Sequence, residues 1–137
     1  MPDYRNQETA RKILENSGII AVVGLSNKEE RASYQVASYL QDNGYRIIPV
    51  NPMVSEVLGE KSYPDLESIP DKVDAVDVFR RSEDVPPIVK SAIAIGAKSI
   101  WLQEGVVNEE AADMADKAGI DFVMDMCMLK MHSEFFS

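Results

Sequence analysis

The residues best suited to binding chemistry stand at Gly24, Leu25 and Ser26, directly after an apolar run rich in Ile and Val. Such a run is typical of a parallel strand buried on both faces, and Gly24 lets the backbone turn sharply and approach a ligand. A turn that leads into a helix N-terminus presents N–H groups at the positive end of the helix dipole. With Lys28 and Arg31 in the loop that follows, this stretch predicts a phosphate site.

A second pair of cations, Arg80 and Arg81, follows another strand-like run, residues 73–79. Their place at a strand end favours a phosphate contact for at least one of them. The alternative is that they pair with Glu83 and Asp84, as surface arginines ordinarily do. Both interpretations stay open at the level of the sequence.

Cys127 is the one side chain that would change the class of function. A thiolate near a ligand site can exchange with a thiol or disulfide, whereas a buried thiol is inert. His132 is five positions further on, and a lone histidine in the C-terminal segment is not expected to be a base or nucleophile. No Ser/His/Asp set, carboxylate pair in a cleft motif or Cys/His metal spacing occurs. The sequence therefore predicts no catalytic residue and no metal site.

The elements that position these residues alternate between strand and helix along the chain. This alternation predicts a single α/β domain over residues 1–137, with a Rossmann-like, doubly wound parallel sheet of about five strands and helices on both faces. In such sheets ligands bind beyond the C-terminal ends of the strands. The predicted strands are residues 19–23, 46–50, 73–79, 99–102 and 121–124, and the predicted helices are residues 8–17, 33–41, 85–95 and 109–117.

Several local expectations accompany this scheme. The alternating aspartates Asp74 and Asp77 suggest that one face of their strand is partly exposed, and Ser82 is expected to cap the next helix. Trp101 is expected in the core. Residues 125–137 are expected to form a closing tail. Five apolar residues should pack a core edge or a subunit contact there: Met124, Met126, Met128, Leu129 and Met131.

Composition narrows the choice of partners and location. The net charge of −9 over 137 residues argues against nucleic acid, which needs clustered Lys and Arg. No apolar run is long enough for a membrane span, and the polar N-terminus lacks the apolar core of a signal peptide. One cysteine allows no disulfide within the chain, which fits a reducing compartment. A cytoplasmic protein is expected, with a homo-oligomer or an unidentified protein partner left open.

A dinucleotide is the first ligand that the topology suggests, but the motif is incomplete. The positions of Gly-x-Gly-x-x-Gly hold Gly24, Ser26 and Glu29, so one glycine of three is present. The acidic residue that would hold the ribose at the end of the second strand is replaced by the sequence Val50, Asn51, Pro52. An NAD-type oxidoreductase is therefore the least favoured hypothesis.

Five segments, in order and over essentially the whole chain, carry a family resemblance. The sequence resembles the small single-domain CoA-binding proteins, which are similar to the N-terminal CoA-binding domain of the succinyl-CoA synthetase α-subunit. The family's final Asp-Arg-Cys is here Asp125-Met126-Cys127, which removes a positive charge. The segments are Val22-Val23-Gly24-Leu25-Ser26, Pro49-Val50-Asn51-Pro52, Val76-Asp77-Val78-Phe79-Arg80-Arg81, Trp101-Leu102-Gln103-Glu104-Gly105-Val106 and Asp125-Met126-Cys127.

The resemblance implies coenzyme A, or an acyl-CoA, as the ligand and assigns parts of it to four groups of residues. Backbone N–H groups of the first turn, at Gly24, Leu25 and Ser26, would contact the pyrophosphate, and the loop cations Lys28 and Arg31 would contact the phosphates. At the end of the second strand, Val50 and Pro52 would flank the adenine or ribose, and at the end of the fourth strand Gln103 and Gly105 would line the pantetheine. Phe79 and Arg80, at the end of the third strand, would also face the ligand.

The resemblance supplies no reaction, because the synthetase depends on a second domain with a phosphorylated histidine. The leading hypothesis is a non-catalytic CoA-binding carrier, sensor or regulatory module. The alternative is a thiol-active enzyme or redox protein in which Cys127 acts on CoA thioesters or disulfides.

Overall fold

A computed structural model describes residues 4–136; the predicted domain, residues 1–137, extends beyond these by residues 1–3 and 137, which lie outside the described part. The helices and strands alternate as predicted. The elements are α1 (Gln7–Asn16), β1 (Ile19–Val23), α2 (Ala32–Asp42), β2 (Arg46–Val50), β3 (Glu56–Val57), β4 (Glu60–Lys61), a 3₁₀ helix (Leu66–Ser68), β5 (Ala75–Val78), a 3₁₀ helix (Ser82–Asp84), α3 (Val85–Ala94), β6 (Ser99–Leu102), α4 (Glu109–Lys117), β7 (Asp121–Val123) and α5 (Met128–Phe136).

Five of the strands form one parallel sheet in the order β2-β1-β5-β6-β7. The chain first moves outward from β1 to β2 and then crosses back to β5 on the other side of β1. The strand order therefore reverses at the crevice between β1 and β5, which is where open α/β sheets bind ligands. The predicted Rossmann-like α/β fold is confirmed. A small antiparallel hairpin of β3 and β4 forms a second sheet beside β2.

Apolar side chains fill both faces of the sheet, which is why its strands read as continuous Ile and Val runs. On one face, side chains from α3 and α4 pack against Val76, Val78 and Ile100. On the other face, side chains from α1, α2 and α5 pack around Trp101, which is fully buried as expected. Helices thus cover both faces, as the alternating elements predicted.

The C-terminal segment and the start of α3 differ from expectation. Residues 128–136 form α5, and Met126 and Met128 are buried in the core that α5 shares with α1 and α2. Ser82 does not cap α3, because its hydroxyl accepts a hydrogen bond from Val107 N (3.0 Å) and its residue begins a 3₁₀ helix instead. No helix among residues 4–136 is long and apolar enough to cross a membrane.

Candidate functional site

The turn after β1 brings three strand ends together. The N–H of Gly24 donates to Val50 O (2.9 Å), and the N–H of Phe79 donates to Val23 O (2.9 Å). Gly24 has a φ of +85°, and a Cβ built there would overlap Phe79 O. Both the left-handed backbone and the approach of the chain after β5 therefore require glycine at this position.

The amides of this turn are largely used within the protein. Besides Gly24, the N–H of Ser26 donates to Ser33 Oγ (3.0 Å), and the N–H of Lys28 donates to Ser26 Oγ (3.0 Å). Leu25 is fully buried, and its carbonyl accepts from Asn51 Nδ2 (3.0 Å). The N–H groups of Gly24 and Ser26 already have acceptors within the protein, and the contact of Gly24, Leu25 and Ser26 with a pyrophosphate stays a prediction.

The N-terminus of α2 provides other donors. Arg31 is its N-cap residue and no side chain caps the helix, so its first-turn amides lack that partner. The exposed side chains of Lys28 and Arg31 form none of the ion pairs found within residues 4–136. They line a cleft of about 590 Å³, here called the α2 cleft, together with Gly24, Ser26, Asn27, Ala32, Ser33, Asn51, Met53, Val54 and Phe79.

A second cleft of about 520 Å³, here called the β6 cleft, lies beside the first at the same edge of the sheet. The two clefts share Ala32 and Phe79 in their linings and are therefore adjacent. Gln103 and Cys127 both line the β6 cleft, so the predicted pantetheine contact and the predicted thiol are brought together. The remaining lining residues are Val36, Arg80, Arg81, Glu104 and Val106.

The side chain of Gln103 is hydrogen-bonded to the buried carboxyl of Asp77. Asp77 in β5 is 0% exposed, and its Oδ1 accepts a hydrogen bond from Gln103 Nε2 (2.7 Å). Burial raises the pKa of Asp77 to about 7, against the opposing effect of the hydrogen bonds from Gln103 and from the N–H of Val78. The expectation that this face of β5 is partly exposed at Asp77 was wrong, because side chains of the α1, α2 and α5 layer cover it.

Arg80 and Arg81, the two arginines after β5, both pair with carboxylates and lie near the ligand edge, so their position fits either a phosphate contact or surface ion pairs. Arg80 lies 3.7 Å from Asp84, and Arg81 lies 3.2 Å from the same carboxylate and 3.5 Å from Glu83. Both also line the β6 cleft. Arg80 further lines a third cleft of about 390 Å³, together with Val50 and side chains of α3. These arginines are therefore paired surface charges that remain within reach of the edge.

Besides the buried Leu25, two predicted contacts lie outside these clefts. Pro52 is in an exposed turn, and Gly105 is exposed, with its N–H donating to Asp125 Oδ1 (2.8 Å). This bond lowers the pKa of Asp125, and the hydrogen bond and charge of Arg5 lower it further. In the Asp-Met-Cys segment Met126 is buried, and its carbonyl accepts from Trp101 Nε1 (2.9 Å). Asp125 and Met126 therefore connect this segment to Gly105 and to Trp101 through hydrogen bonds.

Asn51 and Ser33 are polar residues of the α2 cleft that were not among the ligand contacts assigned from the sequence. Asn51 Oδ1 accepts from the N–H of Met53 (2.9 Å) while its Nδ2 bonds Leu25 O, so it ties the ends of β1 and β2 together. Its position directly after β2 was a usable signal, since topology alone assigns strand C-termini to the ligand edge. Among residues 4–136 no cluster of His, Cys, Asp or Glu could hold a metal ion.

The fold is that of a Rossmann-like domain, and the candidate ligand site lies at the switch point of its sheet. The family model described as "CoA binding domain" matches residues 19–133, and the chain belongs to this CoA-binding family, which confirms the resemblance. The protein YneT of Bacillus subtilis (strain 168) is 43% identical over 123 residues, covering 90% of this chain and 91% of YneT. The solved structure of a hypothetical protein from Pyrococcus horikoshii OT3 has a TM-score of 0.93 at 39% identity, covering 100% of this chain and 98% of that chain.

A multidomain relative contains a similar region. Acetate–CoA ligase [ADP-forming] I of Archaeoglobus fulgidus is 24% identical over 126 residues, which cover 85% of this chain. The same region is 18% of the ligase, so this chain corresponds to a small part of that protein.

Proposed function

We propose that the protein binds coenzyme A, or an acyl-CoA, as a non-catalytic carrier, sensor or regulatory module. The observation that supports this most is that the α2 and β6 clefts are adjacent. The α2 cleft carries cations and an uncapped helix N-terminus, and the β6 cleft carries Gln103 and Cys127. Coenzyme A has the matching division, with phosphates at one end and an amide-containing arm with a thiol at the other.

The phosphate end rests on Lys28, Arg31 and the first amides of α2. Unpaired cations beside a helix N-terminus favour an anion through both charge and hydrogen bonding. Arg80 is a further phosphate candidate, although Asp84 competes for it at 3.7 Å. The local charge at this end matters more for such a ligand than the net charge of −9.

The pantetheine end rests on Gln103 in the β6 cleft, with Phe79 where the two clefts meet. The contact of Val50 and Pro52 with the adenine or ribose stays a prediction, since neither residue lines the α2 cleft or the β6 cleft. A role for Gly105 stays a prediction too, and its N–H is already bonded to Asp125.

Calorimetric titration of ligand-free protein with CoA, with NAD as the comparison ligand, tests this function. We expect micromolar or tighter binding of CoA alone. Lys28→Ala and Arg31→Ala should each weaken it by roughly tenfold or more, because a hydrogen bond to a charged group contributes about 1.5–3 kcal/mol. Lys90→Ala removes an exposed lysine of α3 that lines none of these clefts and should leave binding unchanged. Absence of CoA binding, or equal losses in all three variants, would contradict the proposal.

A second candidate function follows from Cys127 lying in the β6 cleft with Gln103. In this case the Cys127 thiolate attacks a CoA disulfide, forms a mixed disulfide with one half and releases the other half as a thiolate. Alkylation rates of Cys127 with and without CoA distinguish the two candidates. An unreactive thiol in both conditions would remove the redox candidate and leave the binding module.

The location and partners belong to the same proposal. The single cysteine is compatible with a reducing cytoplasm. A homo-oligomer or a separate protein partner would supply whatever a carrier or sensor acts upon. Size-exclusion chromatography with light scattering, with and without CoA, tests for self-association.

A further inference from the structure

Asp77 places a carboxyl group at a buried position, which costs free energy of folding. On β5 it stands in register between Val22 of β1 and Trp101 of β6, within the apolar layer under α1, α2 and α5. Its Oδ2 is fully buried, and no hydrogen-bond partner for it exists among residues 4–136. Burying such an oxygen without a partner costs free energy, and an apolar side chain at this position would avoid that cost. The position therefore calls for an explanation beyond packing.

The explanation lies in what Asp77 does to Gln103. In the structure Asp77 Oδ1 is the acceptor, and the side-chain amide of Gln103 turns its Nε2 toward it at 2.7 Å. This hydrogen bond fixes which end of the amide faces the core. The carbonyl oxygen Oε1 is then the end left for the β6 cleft.

Gln103 is 4% exposed, yet it lines this cleft. Within the described residues Asp77 Oδ2 is the only fully buried side-chain polar atom without a partner. Oε1 accepts no hydrogen bond from residues 4–136, so it must be accessible from the cleft. A nearly buried amide thus presents a single unsatisfied acceptor to the cavity.

We propose that Asp77 is a positioning residue that holds Gln103 so that Oε1 accepts a hydrogen bond from an amide N–H of the ligand. This rests on the proposed function, in which the pantetheine arm, with its two amides, occupies the β6 cleft. Without the carboxyl, the side-chain amide of Gln103 is free to flip or rotate. Its acceptor is then presented only part of the time, and the ligand arm loses affinity.

The test compares two ligands on matched variants. CoA carries the amide-containing arm, whereas adenosine 3′,5′-bisphosphate carries phosphates and adenosine without it. Asp77→Val, which removes both oxygens at similar size, should weaken CoA binding by roughly three- to tenfold and leave the bisphosphate unchanged. Asp77→Asn keeps an acceptor for Gln103 Nε2, and the CoA affinity of this variant should stay within about twofold of that of the original protein.

Gln103→Leu provides the second arm. It should cause the same CoA-selective loss as Asp77→Val, and the double variant should be no weaker than either single variant, since both remove one interaction. If Asp77→Val does not fold, Asp77→Asn and Gln103→Leu still decide the matter. A Gln103→Leu protein with unchanged CoA affinity overturns the positioning role, and so does a Gln103→Leu or Asp77→Val protein that loses both ligands equally.

The two levels of the proposal fail differently. If the original protein binds neither CoA nor the bisphosphate, the proposed function fails. If the original protein binds CoA and the variants show no selective loss, only the role of Asp77 fails.

Discussion

Replacing Asp77 with asparagine should flatten the pH dependence of stability between pH 5 and pH 8. Desolvation raises the pKa of Asp77 to about 7 in the folded protein. In the unfolded chain the same carboxyl has an ordinary pKa of ~3.9. Between these values the native state holds a proton that the unfolded state has released. The contribution of Asp77 to the free energy of unfolding therefore falls as pH rises through this window.

The size of the effect follows from the width of the window. From pH 5 to the folded pKa is about two pH units, and each unit corresponds to about 1.4 kcal/mol, so about 3 kcal/mol should be lost by pH 8. Asparagine does not titrate and should show none of this loss. Urea unfolding of both proteins at pH 5, 6, 7 and 8, at constant ionic strength, measures the difference in unfolding free energy.

The difference between the two proteins isolates Asp77 from the other carboxyls. Desolvation opposes the shift at Asp74, but hydrogen bonds from the N–H groups of Ile19 and Gly18 lower its pKa, and the bond from Gly105 lowers the pKa of Asp125. Both groups are ionised throughout the window and contribute equally to each protein. Parallel stability curves for the original protein and Asp77→Asn would refute the reasoning, because they would mean that Asp77 ionises as a solvated carboxyl does.

Two further predictions concern stability, at the Gly24 turn and at the N-cap of α4. Gly24→Ala should lower the free energy of unfolding by more than about 2 kcal/mol, since its Cβ would overlap Phe79 O. Gly119→Ala, also at positive φ but with open space around it, should cost only about 1 kcal/mol by the same urea assay; equal losses would deny the contact. Asn108→Ala should cost about 1–2 kcal/mol, because Asn108 Oδ1 caps α4 through Ala111 N (2.9 Å). Asn108→Ser should recover part of this, and no recovery would argue against the cap.

Strand positions in this protein could be predicted closely because local signals agree with the final packing. The predicted and observed bounds coincide for β1, β2 and β6, each of which is a short buried run. Helix α5 was missed although Lys130 and Glu134 are exposed charges one helical turn apart, because the segment is only nine residues long. Its apolar side chains acquire a partner only when α1 and α2 are already in place.

The site could be located from topology, but its donors could not be assigned. The sequence indicates that a turn at Gly24 leads to a helix, yet it does not reveal that Ser33 Oγ takes the N–H of Ser26. Likewise, alternation along β5 suggested exposure for Asp77, whereas its partner Gln103 lies 26 residues further along the chain. Hydrogen bonds between distant elements decide which polar groups remain for a ligand, and a single sequence does not show these pairings.

The two ends of the proposed site consequently depend on different physics. At the α2 cleft the recognition elements are exposed cations, whose attraction for phosphate is screened by salt and contributes most to the rate of encounter. At the β6 cleft the element is a neutral amide, nearly buried and held by a carboxyl in the core, whose hydrogen bond is insensitive to salt and strict in geometry. A ligand with phosphates alone satisfies the first end and leaves Gln103 Oε1 unused. If the proposed function holds, discrimination for the complete coenzyme therefore resides at the β6 cleft, where the buried carboxyl of Asp77 holds Gln103.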